Sequence, residues 1–513
     1  MTRSSSTRRT PSARVPRCGP GPRQRNRAAP RNRPPAHPEH MHRTLPMLVC
    51  AAVAACSFAP RYSRPPVETP PPRWKESVDW KLAQPADAQS RGPWWSLFGD
   101  PTLDTLEARV TGANQNIKAA FARLQEARAQ TRVARAAYFP TLTVGPSATR
   151  SRVSLNSPLY TNTKPAIGND FVLDADLSYE IDVWGRVRNS VASARATEQA
   201  TAADLATLDL STHAELAADY FTLRGEDTQL ELLDRTVEDY RQALELTEHL
   251  YNGGAAALAD VDQSKAQLES ARTQATDARL RRAQTEHAIA VLIGESPSSF
   301  RLDPQPLKPE VLPPVLDPGL PSALLERRPD VAAAERRVAS ANAQIGVARA
   351  AYFPVFDLFG RVGFESTQAS NWITAPSRLW SIGPSALLTA FDGGRYLAQS
   401  AAAHAAYDEQ VADYRNTVLT AYQEVEDNLA ALRDLESEST SQAAAVAATT
   451  GALTQTQYQY KGGVVTYLQV VITENAALSA ELTASDIQVR RLTAAVLLIK
   501  ALGGGWQPRV SGT

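Results

Sequence analysis

The heptapeptide Ala134-Arg135-Ala136-Ala137-Tyr138-Phe139-Pro140 returns unchanged as Ala348-Arg349-Ala350-Ala351-Tyr352-Phe353-Pro354, an offset of 214. Two further pairs keep step with it. Tyr251-Asn252-Gly253-Gly254 matches Tyr460-Lys461-Gly462-Gly463 at an offset of 209, and Gly185-Arg186 matches Gly394-Arg395 at the same offset. Three matches in one order at nearly one spacing divide the body into two homologous halves. A period this long means tandem domains, not a short-repeat solenoid.

Proline placement then divides each half. Prolines are absent from 166 to 296 and from 385 to 507, and they crowd into 11–101 and 297–329. Since Pro costs ~3 kcal/mol inside a helix, the proline-free stretches can hold very long helices and the proline-rich ones are loops. Leu216, Tyr220, Leu223, Leu230, Leu233, Val237, Tyr240, Leu244 and Tyr251 follow mostly three- and four-residue spacings, as do Tyr407, Val411, Tyr414, Val418, Tyr422, Val425, Leu429, Leu432 and Leu435. Such sustained heptad-like spacing predicts coiled-coil packing. A helix over residues 186–250, with Gly225 as its only internal glycine, would be ~97 Å long. The Gly-Gly pairs at 253–254 and 462–463 read as turns, with helices resuming over about 255–293 and 464–502. Each half is expected to contain one long antiparallel helical hairpin.

The chain begins differently. Residues 1–43 hold eleven Arg and one acid, Glu39. Residues 1–40, rich in Arg, Pro and Ser, lack the apolar side chains for a core and are expected to be disordered. They read either as sequence upstream of a true start at Met41 or as a long leader. From Met41, a short basic stretch precedes an apolar run over 45–55, the order of a secretory signal. The run ends Val53-Ala54-Ala55-Cys56, which resembles a bacterial lipobox, so Cys56 is the expected lipidation site and first mature residue. An ordinary signal with an incidental cysteine is the alternative.

Between the helices lie segments of period two. Leu142, Val144, Pro146 and Ala148 alternate with Thr141, Thr143, Gly145 and Ser147; Phe171, Leu173, Ala175, Leu177, Tyr179, Ile181 and Val183 alternate with Asp174, Asp176, Glu180 and Asp182, among others. In the second half Phe356, Leu358, Gly360, Val362 and Phe364 alternate with Asp357, Arg361 and Glu365, and Trp380, Ile382, Pro384, Ala386, Leu388 and Ala390 with small polar residues. Segments of ~10 residues suit transmembrane β-strands. A half-buried soluble sheet shows the same alternation; the export signal and the linking loops at about 151–169 and 366–378 favour the barrel. Four strands cannot close alone, because common small barrels have ~8. Two chains would give eight strands and three twelve, and periodicity does not choose.

Other classes are disfavoured. Beyond residue 43 the chain carries 43 basic and 53 acidic residues, not the positive surface that nucleic acid requires. No apolar run reaches the ~18–20 residues of a membrane-spanning helix. The three cysteines, Cys18, Cys50 and Cys56, all precede the body, so no disulfide framework is expected. His213, His249, His287 and His404 lack metal-ligand spacing. Gly145-Pro146-Ser147 and Gly383-Pro384-Ser385 lack the last glycine of a nucleophile elbow, and Gly503-Gly504-Gly505 reads as a helix stop. No enzyme, cofactor or metal is expected.

Further motifs run in order through about 60–502: Trp94-Trp95, Phe98, Asp100-Pro101, Leu103 and Leu106; then Leu320-Pro321, Leu324-Leu325, Arg327-Arg328-Pro329-Asp330-Val331 and Ala334-Glu335; then Phe391-Asp392-Gly393-Gly394-Arg395. Together with the duplication they resemble the TolC-like outer-membrane efflux protein family, in its lipoprotein branch serving RND-type multidrug systems. The resemblance implies a mainly α fold with transmembrane β: a homotrimer whose 12-stranded outer-membrane β-barrel continues into a periplasmic α-helical barrel, with an equatorial belt of extra segments. It further implies a passive exit duct in the outer membrane of a Gram-negative bacterium, lipid-anchored, working with a periplasmic adaptor and an inner-membrane RND pump. The expected divisions are the extension 1–40, signal 41–55, N-terminal extended segment 56–101, first repeat 102–293, equatorial linker 294–320, second repeat 321–502 and tail 503–513. A periplasmic adaptor, with one hairpin flanked by lipoyl-like motifs, and a soluble coiled-coil scaffold are the alternatives.

The family narrows its tunnel just past the tyrosine-glycine turns, often with second-half acids. Here those positions are Gln469 and Ile472, while the first half keeps Asp260 and adds Asp262. The resemblance therefore points to a gate drawing on Asp260, Tyr460 and apolar closure by Leu468, with Gly253, Gly254, Gly462 and Gly463 as adaptor-docking turns. The alternative role for Asp260 and Asp262 is to cap or solvate the returning helix.

Overall fold

In the computed structural model, residues 58–67, 74–77, 93–156, 167–308, 310–314 and 327–504 are described, all within the unit Cys56–Thr513. The extension, the signal, Cys56 and the motif residues 320–326 lie outside them. The element order is α1 (Pro101–Ala113), α2 (Gln115–Ala136), β1 (Thr141–Arg152), β2 (Ile167–Ile181), α3 (Arg186–Asn252), α4 (Leu258–Leu292), α5 (Pro329–Ala350), β3 (Val355–Ser366), β4 (Arg378–Leu387), α6 (Arg395–Lys461) and α7 (Tyr467–Ala501).

The duplication is exact in helix length: α2 and α5 have 22 residues, α3 and α6 have 67, and α4 and α7 have 35. A helix of 67 residues is about 100 Å long. Both long helices begin on a left-handed glycine, Gly185 or Gly394, preceded by a capping aspartate. Asp182 accepts from the amides of Val187 and Arg188 at 3.0 and 2.8 Å, and Asp392 from those of Gly394 and Tyr396 at 2.9 and 2.8 Å. These carboxylates satisfy amides that the first turn leaves unpaired.

The expected heptad residues form the seam. Leu216, Tyr220, Leu223, Leu233, Tyr240, Tyr414, Val418, Val425, Leu429, Leu432 and Leu435 are buried, whereas Tyr251 at the end of the stripe is exposed. Helix α3 packs on α2, α4, α5 and α7, and α6 packs on α5 and α7. One large apolar cluster holds α1, the middle of α3 and α6, and the ends of α4 and α7; toward the tip the hairpins keep only small clusters such as Leu233–Ala275–Ala278. At the crossing of α3 and α7, a Cβ on Gly225 would lie 2.2 Å from Val489 Cγ2. The lone internal glycine thus marks a backbone approach that no side chain fits.

The four strands form one antiparallel sheet in the order β1-β2-β3-β4, with Pro146 and Pro384 confined to its edge strands. Several boundaries differ from expectation. The second strand ends at Ile181, not Val183, and the fourth at Leu387, not Ala390. Turn chemistry stops them while the alternation runs on. Strand-connecting loops are shorter than expected, since β1 reaches Arg152 and β2 starts at Ile167. The returning helices start at Leu258 and Tyr467, three residues later than expected, because each Gly-Gly turn needs a connecting stretch. Helices α1, α2 and α5 are not among the expected elements.

Candidate functional site

The strand wall sorts its residues by face. Register aligns Leu142–Leu177–Gly360–Ile382 and Val144–Ala175–Val362–Trp380 as continuous rows on one face. The other face carries the row Thr143–Asp176–Arg361–Ser381. All six strand acids, Asp170, Asp174, Asp176, Glu180, Asp357 and Glu365, share this polar face, and Arg361 is its only base. Arg361 Nε donates to Asp174 Oδ2 at 2.6 Å. The alternation expected from the sequence is therefore a pair of cross-strand surfaces, one apolar and one acidic.

Where strands meet helices, an aromatic cluster closes the base of the wall. Phe58 stacks on Phe353, centroids 4.4 Å apart, and on Trp184 at 5.8 Å. Trp184 Nε1 donates to the Pro354 carbonyl at 2.7 Å. From Phe58 the chain runs along α5 and α6. Asn342 Nδ2 donates to the Pro60 carbonyl at 2.9 Å, the Tyr62 hydroxyl donates to Glu335 Oε1 at 2.8 Å, and the Lys75 and Glu76 amides donate to the Glu426 carboxylate at 2.8 and 3.0 Å.

The motif residues build the middle of the molecule. Asp100 caps α1 and accepts from the Tyr220 hydroxyl at 2.6 Å. Phe98 packs on Phe221, and Trp95 stacks on His213 at 4.6 Å. His213 Nδ1 meets Glu107 Oε2 at 2.5 Å, and its Nε2 lies 3.0 Å from Thr111 Oγ1. Burial pushes the Glu107 carboxyl up to about 7, against the opposing pull of His213. Arg328 joins α5 to α6 and α7: it donates to Asp330 and Glu424 at 2.6 Å each and to the Ala501 carbonyl at 3.1 Å. Arg224 and Arg282 share the buried Asp227, with N···O distances of 3.0 and 2.6 Å. The sequence reading missed Glu107 and its pairing with His213, the Arg224–Asp227–Arg282 clamp, and the role of Arg328, which it had placed in a motif. The available signal was a carboxylate at 107 inside the buried stripe Leu103–Leu106–Val110.

At the opposite end lie the tip residues. Gly254 and Gly463 hold positive φ of 74° and 71°, while Gly253 and Gly462 are right-handed at −83°. Only the second glycine of each pair is required by backbone conformation. Ala255 and Val464 return amides to the carbonyls of Leu250 and Gln459 at 2.8 and 2.9 Å, closing both turns alike. Asp260 accepts from the Ala257 amide at 3.1 Å, so it caps α4, as the alternative reading holds. Its charge also reaches Tyr460, whose hydroxyl is raised by burial and by Asp260. Tyr460 packs on Tyr467 at 5.7 Å. Leu468 and Ile472 are 54% and 52% exposed, and Gln469 beside them is exposed as well. The tip thus groups Asp260 with Tyr460, and presents Leu468, Gln469 and Ile472 on an open helix face.

Residues 109–295 and 320–504 each match the model of the outer membrane efflux protein family. The chain belongs to that family. It is 30% identical over 467 residues to the outer membrane protein OprJ of Pseudomonas aeruginosa, covering 90% of this chain and 95% of that one. It is 28% identical to the cation efflux system protein CusC of Escherichia coli, covering 90% and 98%. The solved outer-membrane channel OprN superposes with a TM-score of 0.80 at 31% identity, over 88% of this chain and 100% of that one. As an outer membrane efflux protein the chain is a TolC-like channel of Gram-negative bacteria, extending into the periplasm. Two hairpins and two strand pairs set it apart from an adaptor. The apolar face of its sheet is the one suited to lipid, and the acidic face the one suited to a pore.

Proposed function

We propose that three copies of this chain close a 12-stranded barrel over a helical tunnel and serve as the passive exit duct of a tripartite pump. A periplasmic adaptor and an inner-membrane RND transporter complete that pump. The observation that carries this reading is the four-stranded sheet with one lipid-compatible face, one acidic face and unpaired edges at β1 and β4. An open edge in hydrocarbon costs several kcal/mol per unpaired backbone group, so neighbouring copies must cover it. Relatives near 30% identity differ in cargo, from a toluene efflux pump to a cation efflux system. Cargo is therefore assigned to the pump, with drugs and other small molecules as the class tested first. Unheated samples from the outer-membrane fraction should migrate as trimers, and deletion should raise drug susceptibility, restored by the cloned gene. A monomeric species, or a deletion without effect on any substrate, would overturn the reading.

The same proposal includes a lipid on Cys56, which holds the N-terminus at the periplasmic face of the outer membrane. Support comes from Phe58, two residues on, which is stacked into the aromatic base of the strand wall, the level where aromatic girdles meet lipid headgroups. Labelled-palmitate incorporation should disappear in Cys56→Ala while the trimer persists. Undiminished labelling would reject the assignment.

A further inference from the structure

Charges on the strand wall are divided more sharply than barrel formation demands. The lipid-facing rows contain no acid, and their bases are Arg150 and Arg152 on β1 and Arg378 on β4. All three lie at the strand ends away from the helices, are exposed, and make no ion pair among the described residues. The loops that could supply a counter-charge, 153–166 and 367–377, contain no Asp or Glu. Arg361, the remaining strand base, is on the pore face and is paired with Asp174.

Depth along the wall is consistent with a headgroup level. From Leu142 to Arg150 the lipid-facing row of β1 rises about 20 Å, at ~3.3 Å per residue and a tilt of ~40°. That approaches the ~25 Å apolar band of outer-membrane barrels. On β4 the order from the outer end is Arg378, Trp380, Ile382: base, interfacial aromatic, aliphatic. Both edge strands thus place arginine at the outer headgroup plane with apolar side chains beneath. In the proposed trimer, β4 of one copy pairs with β1 of the next at ~5 Å, and a junction register that levels their outer ends would set Arg378 beside Arg150 and Arg152.

We infer that this junction is a binding site for a phosphate-bearing lipid headgroup of the outer leaflet, and that the lipid bridges neighbouring copies. The inference rests on the trimer proposed above. Guanidinium groups bind phosphate through paired, charge-assisted hydrogen bonds, and acyl chains would lie on the apolar rows below. The counter-charge that the lipid-facing side of the wall lacks at this level is then supplied by the membrane.

The test uses the full-length protein in phosphatidylcholine nanodiscs, titrated with diphosphoryl lipid A, with its dephosphorylated derivative, and with inorganic phosphate. Wild-type protein should retain the phosphorylated lipid at least about tenfold better than the dephosphorylated one. Arg150→Gln/Arg152→Gln/Arg378→Gln should abolish that preference, and Arg361→Gln, on the opposite face, should keep it. Equal retention of both lipids by wild type would overturn the site without recourse to any variant. So would equal loss in Arg361→Gln, or inorganic phosphate binding as tightly as the lipid. Oligomeric state is read separately on unheated gels. A trimer without lipid preference sinks the site and leaves the duct intact, whereas a preference in a protein that is not trimeric sinks the bridging between copies.

Discussion

Glu107 is 1% exposed, with Asp104 and Asp209 as neighbouring charges and His213 as its partner. Its carboxyl titrates at about 7 in the folded protein instead of 4.5. Between those values the folded state holds a proton that the unfolded chain has released, so folding stability falls as pH rises through this window. The contribution is complete below the unfolded value and lost above the folded one. The apparent Tm of the purified protein should therefore drop by a few degrees between about pH 5 and about pH 8, and Glu107→Gln should flatten that drop. Identical pH profiles would remove Glu107 from the cause. At this scale the sequence was only partly readable. Asp100 and Arg328 stood in recognisable motifs, but their roles as cap and clamp depend on Tyr220, Glu424 and the Ala501 carbonyl, which are 96 or more residues distant.

Period-two alternation and heptad spacing transferred almost directly to elements, because burial on one face is what both patterns encode. The strand rows allow a paired test. Leu177 lies on the apolar face, opposite Leu142, and Asp176 on the acidic face, opposite Thr143. Leu177→Arg should cut the yield of heat-modifiable trimers, since arginine on a lipid face costs ~2–4 kcal/mol near the midplane. Asp176→Arg should assemble and lower the cation selectivity of the reconstituted pore. Equal assembly of the two would reverse the face assignment. Of the helices that escaped the sequence reading, α2 has a thin apolar stripe, whereas α5 buries a broad face made largely of alanine and small or polar residues. In α2 only Ile117, Ala120, Leu124 and Thr131 are buried, too few and too small to stand out among Ala and Arg. Boundaries escaped where a turn, not polarity, ends an element, as at Asp182 and Gly185.

At the scale of the whole molecule, the tips are the part of the candidate site that the sequence located by position but not by mechanism. The proposed trimer would carry six Gly-Gly turns in a ring, the surface we assign to adaptor docking. Gly462 is the cleaner probe of docking, because its φ of −83° suits any residue and its nearest neighbour atom would be 3.5 Å from an added Cβ. Gly462→Trp should leave trimers in the membrane yet weaken adaptor cross-linking and drug resistance; normal values for both would end the docking assignment. Gly463, at φ 71°, would confound docking with backbone strain. For the gate, Asp260→Asn retains an oxygen that can cap α4 and removes the charge beside Tyr460. It should raise single-channel conductance in planar bilayers, whereas unchanged conductance would leave Asp260 with capping alone.

The open edges of the sheet also have a genetic consequence. A chain whose β4 edge could no longer pair would still offer an intact β1 edge to its neighbour, so it would enter mixed rings and spoil them. With equal synthesis of intact and damaged chains, only about one in eight three-chain rings would be wholly intact. Edge-strand alleles of this protein should therefore behave as dominant poisons, while alleles that destroy the whole fold should be recessive.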